Sequence, residues 1–206
     1  NENIFITGNT VIDSIILLKK INSKKNLNFL NNLKKNKFIL ITIHRRENWG
    51  ENLDIILNSL LLIIKKHNDV NLLLPMHKNE IIRTKIKNIL GKNERIILTE
   101  PLDYDVFINA LTACYFIMTD SGGIQEEAPS FGKPVLILRE STERKEAIDC
   151  GAAILVGNNS EMILHFVNKL LTNTKFYKSM QINKNPFGDG KATQKIINHV
   201  VEYFKD

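Results

Sequence analysis

Thr119-Asp120-Ser121-Gly122-Gly123-Ile124-Gln125-Glu126-Glu127 stands between an apolar run, Tyr115-Phe116-Ile117-Met118, and a helical pattern over 124–131 that Gly132 can close. The apolar run reads as a buried parallel strand. A strand that turns through Ser121-Gly122-Gly123 into a helix leaves backbone N–H groups pointing out of the helix start. The two glycines carry no Cβ to hold a ligand away. Exposed N–H groups and the helix dipole together favour an anion, most often a phosphate. Glu126 and Glu127 read as first-turn acids that complement the dipole. Glu127 has a second reading, as a carboxylate one turn in from a bound phosphate that accepts hydrogen bonds from ribose hydroxyls.

The same alternation repeats outward from this turn. Apolar runs at 38–42, 70–74, 95–99, 134–138 and 153–156 read as further strands. Helical patterns lie between them: 52–66 capped by Asn52, 79–90 ended by Gly91, 104–113, and 142–150 with Thr142 as candidate N-cap. Ser160 can cap a helix to 171, and others follow at 175–180 and 191–204. At the start, 4–8 reads as a short strand and 11–20 as a helix capped by Asn9-Thr10. Residues 22–36 are polar, with a short helix at 27–33. Strands alternating with helices predict an α/β fold, a parallel sheet with helices on both faces. Such sheets bind ligands at the carboxyl ends of their strands, where strand order reverses.

Chemically loaded residues do follow the strands. His44-Arg45-Arg46-Glu47-Asn48 comes after the 38–42 run. His44 can donate to a diphosphate oxygen or move a proton, or be a satisfied structural residue. Arg45 and Arg46 offer bidentate forks for phosphates, or pair with Glu47. His77 follows the 70–74 run. Arg144, after the 134–138 run, can neutralise a leaving diphosphate or pair with Glu140 or Glu143. Asn185-Pro186-Phe187-Gly188-Asp189-Gly190 reads as a structural turn, with Asp189-Gly190 as turn and cap of the last helix.

Composition limits the alternatives. The 206 residues carry a formal charge of +6, but the lysines are scattered and aromatic residues make up only 7%, which argues against nucleic-acid binding. No apolar run has the length of a membrane span, and no secretory signal opens the chain, which begins at Asn1, as at a processing boundary. Cys114 and Cys150 have no metal-ligand spacing and read as reduced, buried thiols of a cytoplasmic protein.

Taken together, these segments resemble the non-hydrolysing UDP-N-acetylglucosamine 2-epimerases. The stretches that carry the resemblance are 7–13, His44 to Asn48, Pro75-Met76-His77, 119–132, Lys133-Pro134-Val135-Leu136, Thr142-Glu143-Arg144 and Asn185 to Gly190. The resemblance implies two Rossmann-like domains facing across a cleft, the GT-B arrangement, of which this chain is the second half. It implies that 1–36 is a crossover segment and linker, 37–184 the UDP-binding domain, and 185–206 a final helix packing back toward a first domain outside this sequence. By resemblance Ser121, Gly122 and Gly123 hold the UDP diphosphate, Glu127 holds the ribose, and His44 and Arg144 act at the diphosphate and sugar. Arg45 and His77 match positions where many bacterial members bind an activating UDP-N-acetylglucosamine. Departures are small: Ile43, Glu80 and Lys145 replace a smaller residue and two prolines, and Glu80 adds negative charge near the activator position.

The implied activity is interconversion of UDP-N-acetylglucosamine and UDP-N-acetylmannosamine, an isomerase step serving cell-surface polysaccharide biosynthesis. No cofactor or metal is implied, and the complete enzyme is expected to be a homodimer. Its proton-transfer acids are expected in the first domain, so the chain alone is expected to be inactive. A GT-B glycosyltransferase, a hydrolysing epimerase and a non-catalytic UDP-sugar-binding module stay open on the residues alone.

Overall fold

Along Lys37–Thr42 the side chains alternate between two apolar layers. Phe38 and Leu40 bury into one, Ile39 and Ile41 into the other. A strand buried on both sides needs cover on both faces of its sheet. This strand (β1) is joined by β2 (Val70–Pro75), β3 (Ile96–Thr99), β4 (Phe116–Thr119), β5 (Val135–Ile137) and β6 (Ala153–Leu155). The six form one sheet in the order β3-β2-β1-β4-β5-β6, every neighbouring pair parallel. That is the Rossmann-like order, and its reversal falls between β1 and β4. Thr42 stands opposite Thr119 there, and their buried hydroxyls share a hydrogen bond of 2.6 Å.

The computed structural model describes residues 4–21, 30, 33 and 35–205. Helices α1 (Thr10–Ile21), α2 (Glu51–Lys66), α3 (Glu80–Leu90) and α4 (Tyr104–Ala113) precede β4. After it come α5 (Gly122–Glu127), α6 (Lys145–Asp149), α7 (Ser160–Thr172), α8 (Thr174–Ser179) and α9 (Ala192–Tyr203). Leu57 and Leu60 of α2, Ile86 of α3 and Val167 of α7 cover the Ile39 side. Ile12 and Ile15 of α1 and Ile108 and Leu111 of α4 cover the Phe38 side. Both faces are therefore sealed, and polar chemistry is pushed to the strand ends.

Several local expectations are corrected. Residues 4–8 form no strand. Ile4 and Ile6 are exposed, and Asn9 N–H instead bonds the Phe187 carbonyl at 2.7 Å. The helix expected at 27–33 lies outside the described residues except for Leu30 and Leu33, both buried. Gly50, at φ 79°, is the N-cap of α2; Asn52 sits inside the helix and its amide donates back to the Glu47 carbonyl at 2.9 Å. Asn159 rather than Ser160 caps α7, accepting from Met162 N–H, while the Ser160 hydroxyl meets Ser59 across α2 and α7. The helix after β4 starts earlier than expected, at Gly122. From Ala128 to Phe131 it tightens to a 3-10 turn containing Pro129, which has no N–H to continue the α pattern. Gly132 then closes it at φ 60°. Asp189 accepts from Lys191 N–H at 3.1 Å and from the Lys195 ammonium at 3.2 and 3.1 Å. The first N–H groups of α9 are instead capped from α1, Ala192 at 3.1 Å and Thr193 at 2.8 Å to the Asp13 carboxylate.

The thiols differ. Cys114 is buried, and burial pushes its pKa up to about 12. Cys150 is exposed, against expectation, at the end of the short α6. Among the described residues no helix is long and apolar enough to cross a membrane.

Candidate functional site

Asp120 directly follows β4 at the reversal point and is fully buried. An unpaired carboxylate in such a place is costly, and the chain satisfies it with N–H donors. The backbone N–H of His44 donates at 3.0 Å and that of Arg45 at 2.9 Å. The Asn48 amide donates at 2.9 Å and also reaches the Leu138 carbonyl. His44 Nδ1 lies 3.2 Å from the other Asp120 oxygen. One acid thus pins the loop after β1 to the end of β4 and fixes the His44 ring.

The Ser121-Gly122-Gly123 turn begins beside it. Ser121 is the N-cap of α5, and its own N–H is used locally, bonding Thr119 Oγ1 at 3.0 Å. The turn's free backbone donors are therefore those of Gly122 and Gly123, in the first turn of α5. Arg144 closes over them: a Cβ on Gly122 would stand 3.3 Å from the carbon of its guanidinium. Arg144 Nε donates to Glu126 at 2.7 Å, and a terminal nitrogen is ion-paired with Glu143 at 2.7 Å. Of the partners expected for Arg144, Glu143 is therefore present; the Glu140 carboxylate is instead 3.3 Å from the Asn158 backbone nitrogen. Thr142 does not cap α6, whose N-cap is Arg144 itself; its hydroxyl donates to Gln125 at 2.6 Å and accepts from Arg144 N–H.

Arg45 does not pair with Glu47. It faces Glu143 at 3.8 Å, while Arg139 takes Glu47 at 2.6 Å and Glu143 at 2.9 Å. Glu143 thus lies among three arginines. His77 follows β2, accepts Asn79 N–H at Nδ1 (3.1 Å), and sets its ring edgewise to Trp49. The Glu80 carboxylate is highly exposed and lies 3.8 Å from Arg83.

Glu127 is nearly buried, on α5, with the Tyr104 hydroxyl donating to it at 3.2 Å. Burial pushes its pKa up to about 7; the Tyr104 bond opposes the shift and the Glu126 charge adds to it. Between His44 and His77 the strand ends open into a cleft of about 360 Å³, walled by Ile43, Met76, Leu102, Phe107 and Ile124. An apolar cleft beside a cationic, N–H-rich turn suits a ligand with one flat apolar end and one anionic end. Among the described residues no group of three His, Cys, Asp or Glu side chains could hold a metal ion.

The sequence reading gave no role in this site to Asp120, Asn48 or Tyr104, and it read Glu126 and Glu127 as first-turn acids, whereas α5 begins at Gly122 and both stand at its far end. Asp120 carried a signal, a polar side chain placed directly beyond an apolar strand, and Asn48 a weaker one, as part of the polar loop that follows β1. The partners of Glu126 and Tyr104 carried no signal, since they are distant in the chain.

A family model described as UDP-N-acetylglucosamine 2-epimerase matches residues 1–201. The chain belongs to the UDP-N-acetylglucosamine 2-epimerase family. A UDP-N-acetylglucosamine 2-epimerase of Campylobacter jejuni is 43% identical, across 98% of this chain and 55% of the relative. The S. aureus MnaA–UDP co-structure is 41% identical with a TM-score of 0.93, covering 100% of this chain and 56% of that one. A UDP-GlcNAc 2-epimerase from Neisseria meningitidis bound to UDP-GlcNAc is 35% identical with a TM-score of 0.89, covering 98% and 56%. This family member therefore spans about half the length of the relatives it matches. Its sheet is the Rossmann-like second half of their GT-B fold.

Proposed function

We propose that this chain supplies the UDP-binding half of a non-hydrolysing UDP-N-acetylglucosamine 2-epimerase. The observation that carries the reading is the meeting of Gly122, Gly123, Arg144 and His44 at the β1/β4 reversal. In this reading the Ser121 hydroxyl and the Gly122 and Gly123 N–H groups hold the diphosphate, and Glu127 holds the ribose. The apolar cleft takes the base. Arg45 and His77 form the activator position, and the charge that Glu80 adds near it is partly offset by Arg83, 3.8 Å from its carboxylate.

The reaction proposed for the complete enzyme removes the C2 proton of UDP-N-acetylglucosamine and breaks the C1–O bond, releasing UDP and leaving a 2-acetamidoglucal. UDP then adds back at C1 as C2 is protonated on the other face, giving UDP-N-acetylmannosamine. The C2 proton is weakly acidic, so stabilising the departing diphosphate carries much of the activation. One well-placed donor is worth about 3–4 kcal/mol there. Arg144 and His44 are the residues we assign to that task. The same reading makes residues 1–36 a crossover and linker, 37–184 the UDP-binding domain, and 185–206 the return toward the first half. The exposed Ile196, Val200 and Tyr203 of α9 favour a covering partner on that helix. A cytoplasmic homodimer is proposed on the family resemblance alone.

The test is to assay the 206-residue chain with and without a supplied first half, following UDP-N-acetylmannosamine formation. Turnover only in the mixture is expected. Turnover by the chain alone would overturn the division of labour, and tight UDP binding without turnover in the mixture would favour a binding-only module.

A further inference from the structure

Glu126 lies where several separate parts of the chain meet. It belongs to α5 and is 8% exposed. One carboxylate oxygen takes Arg144 Nε at 2.7 Å; the other takes the side-chain amide of Asn9. Its backbone carbonyl accepts from Asn185 at 2.7 Å. Asn9 is itself held on both sides, by its N–H to the Phe187 carbonyl at 2.7 Å and its Oδ1 to Val11 N–H at 3.0 Å. Its amide cannot turn over without losing the Val11 bond, so it presents a fixed donor to Glu126.

The two acids on Arg144 are unequal. The Glu143 side chain is 46% exposed and that of Glu126 11%. An ion pair open to water is weak and readily exchanged, whereas a buried carboxylate stripped of its cation is left uncompensated. An arriving diphosphate therefore displaces Glu143, and the guanidinium stays anchored at Nε.

Resting on the proposed diphosphate role of Arg144, we infer that Glu126 is a positioning residue: it holds Arg144 over Gly122, and Asn9 sets where Glu126 stands. The segment leading into α1 is thereby coupled mechanically to the diphosphate site. Movement of that segment, through which the first half would be joined in the proposed reading, changes the grip on the diphosphate without touching it.

A double-mutant cycle on the 206-residue chain tests the relay, with the ratio of UDP to uridine affinity as readout. Arg144→Ala is expected to lower the ratio about tenfold, and Asn9→Ala, which touches no ligand, about threefold. In the Arg144→Ala background Asn9→Ala should change the ratio no further. Asn9→Asp, which sets an acid against Glu126, should lower the ratio at least as far as Asn9→Ala and provides a second variant. An unchanged ratio in both Asn9 variants, or effects that multiply with Arg144→Ala, overturns the relay while leaving the diphosphate role of Arg144 standing. A ratio unmoved by Arg144→Ala itself overturns that role, and the relay with it.

Discussion

His44 Nδ1 lies 3.2 Å from Asp120 Oδ1, and the backbone N–H of His44 bonds the same carboxylate. A buried acid beside Nδ1 favours a proton on that nitrogen and leaves Nε2 for a ligand. Nitrogen-15 NMR should therefore report His44 as the Nδ1–H tautomer, and Asp120→Asn should release that preference. Asp120→Asn also turns an amide toward donors that need an acceptor, and should lower unfolding free energy by about 1–3 kcal/mol in urea. In the complete enzyme His44→Ala should reduce turnover far more than it weakens UDP binding. A mixed tautomer and unchanged stability would remove Asp120 from its organising place.

Glu127 gives the chain a pH dependence with a definite sign. Burial raises its pKa to about 7, against the opposing Tyr104 bond, with the Glu126 charge adding to the rise. Ribose hydroxyls donate to the ionised carboxylate, so UDP affinity should rise with pH through about 7 and then level off. From about pH 6 to pH 8 the gain attributable to Glu127 is about tenfold. The neighbouring charges are Glu126 and, bonded to it, Arg144. Isothermal titration of wild type against Glu127→Gln separates this from titration of UDP itself: the variant should lack the step. Tyr104→Phe removes a donor to the carboxylate and should move the step to higher pH. The stability term runs the other way: it favours the folded chain below the unfolded pKa and is lost as pH climbs to about 7.

Gly190 is where the final turn meets α1. Its φ is 78°, and an added Cβ would stand 2.0 Å from Ile16 Cδ1. Gly190→Ala should lower stability by about 1–3 kcal/mol through strain and overpacking, seen as a reduced thermal midpoint. Gly151, also at positive φ but with open space around it, should lose only the strain part on the same substitution. Equal losses at the two positions would mean that the contact with Ile16 yields freely.

The sheet was legible because each strand is an apolar run of the right length between helical patterns, and parallel strands must be buried on both faces. Val70–Pro75 and Tyr104–Ala113 fell within a residue of their expected bounds. The caps were misread where the structure uses a distant residue or a glycine. Asp13 caps α9 from the other end of the chain, and Gly50 starts α2 through a backbone conformation rather than a side chain. Arg144 was identified from its place after β5, but its partner Glu126 was not, because that bond joins helix α5 to the start of α6 across a span of 18 residues. Local spacing predicts which residues stand at a strand end; it does not say which carboxylate each cation meets.

The most direct test of the central claim is a site-resolved NMR titration of the 206-residue chain with UDP and, separately, with uridine. UDP should shift the amide signals of Gly122 and Gly123 and the side-chain signal of Arg144, with uridine leaving those three nearly still while both ligands perturb Phe107 and Ile124 beside the cleft. Equal responses to the two ligands at Gly122 and Gly123, or UDP shifts confined to the opposite strand ends around Lys37 and Lys133, would contradict the assignment of the diphosphate to the turn after β4.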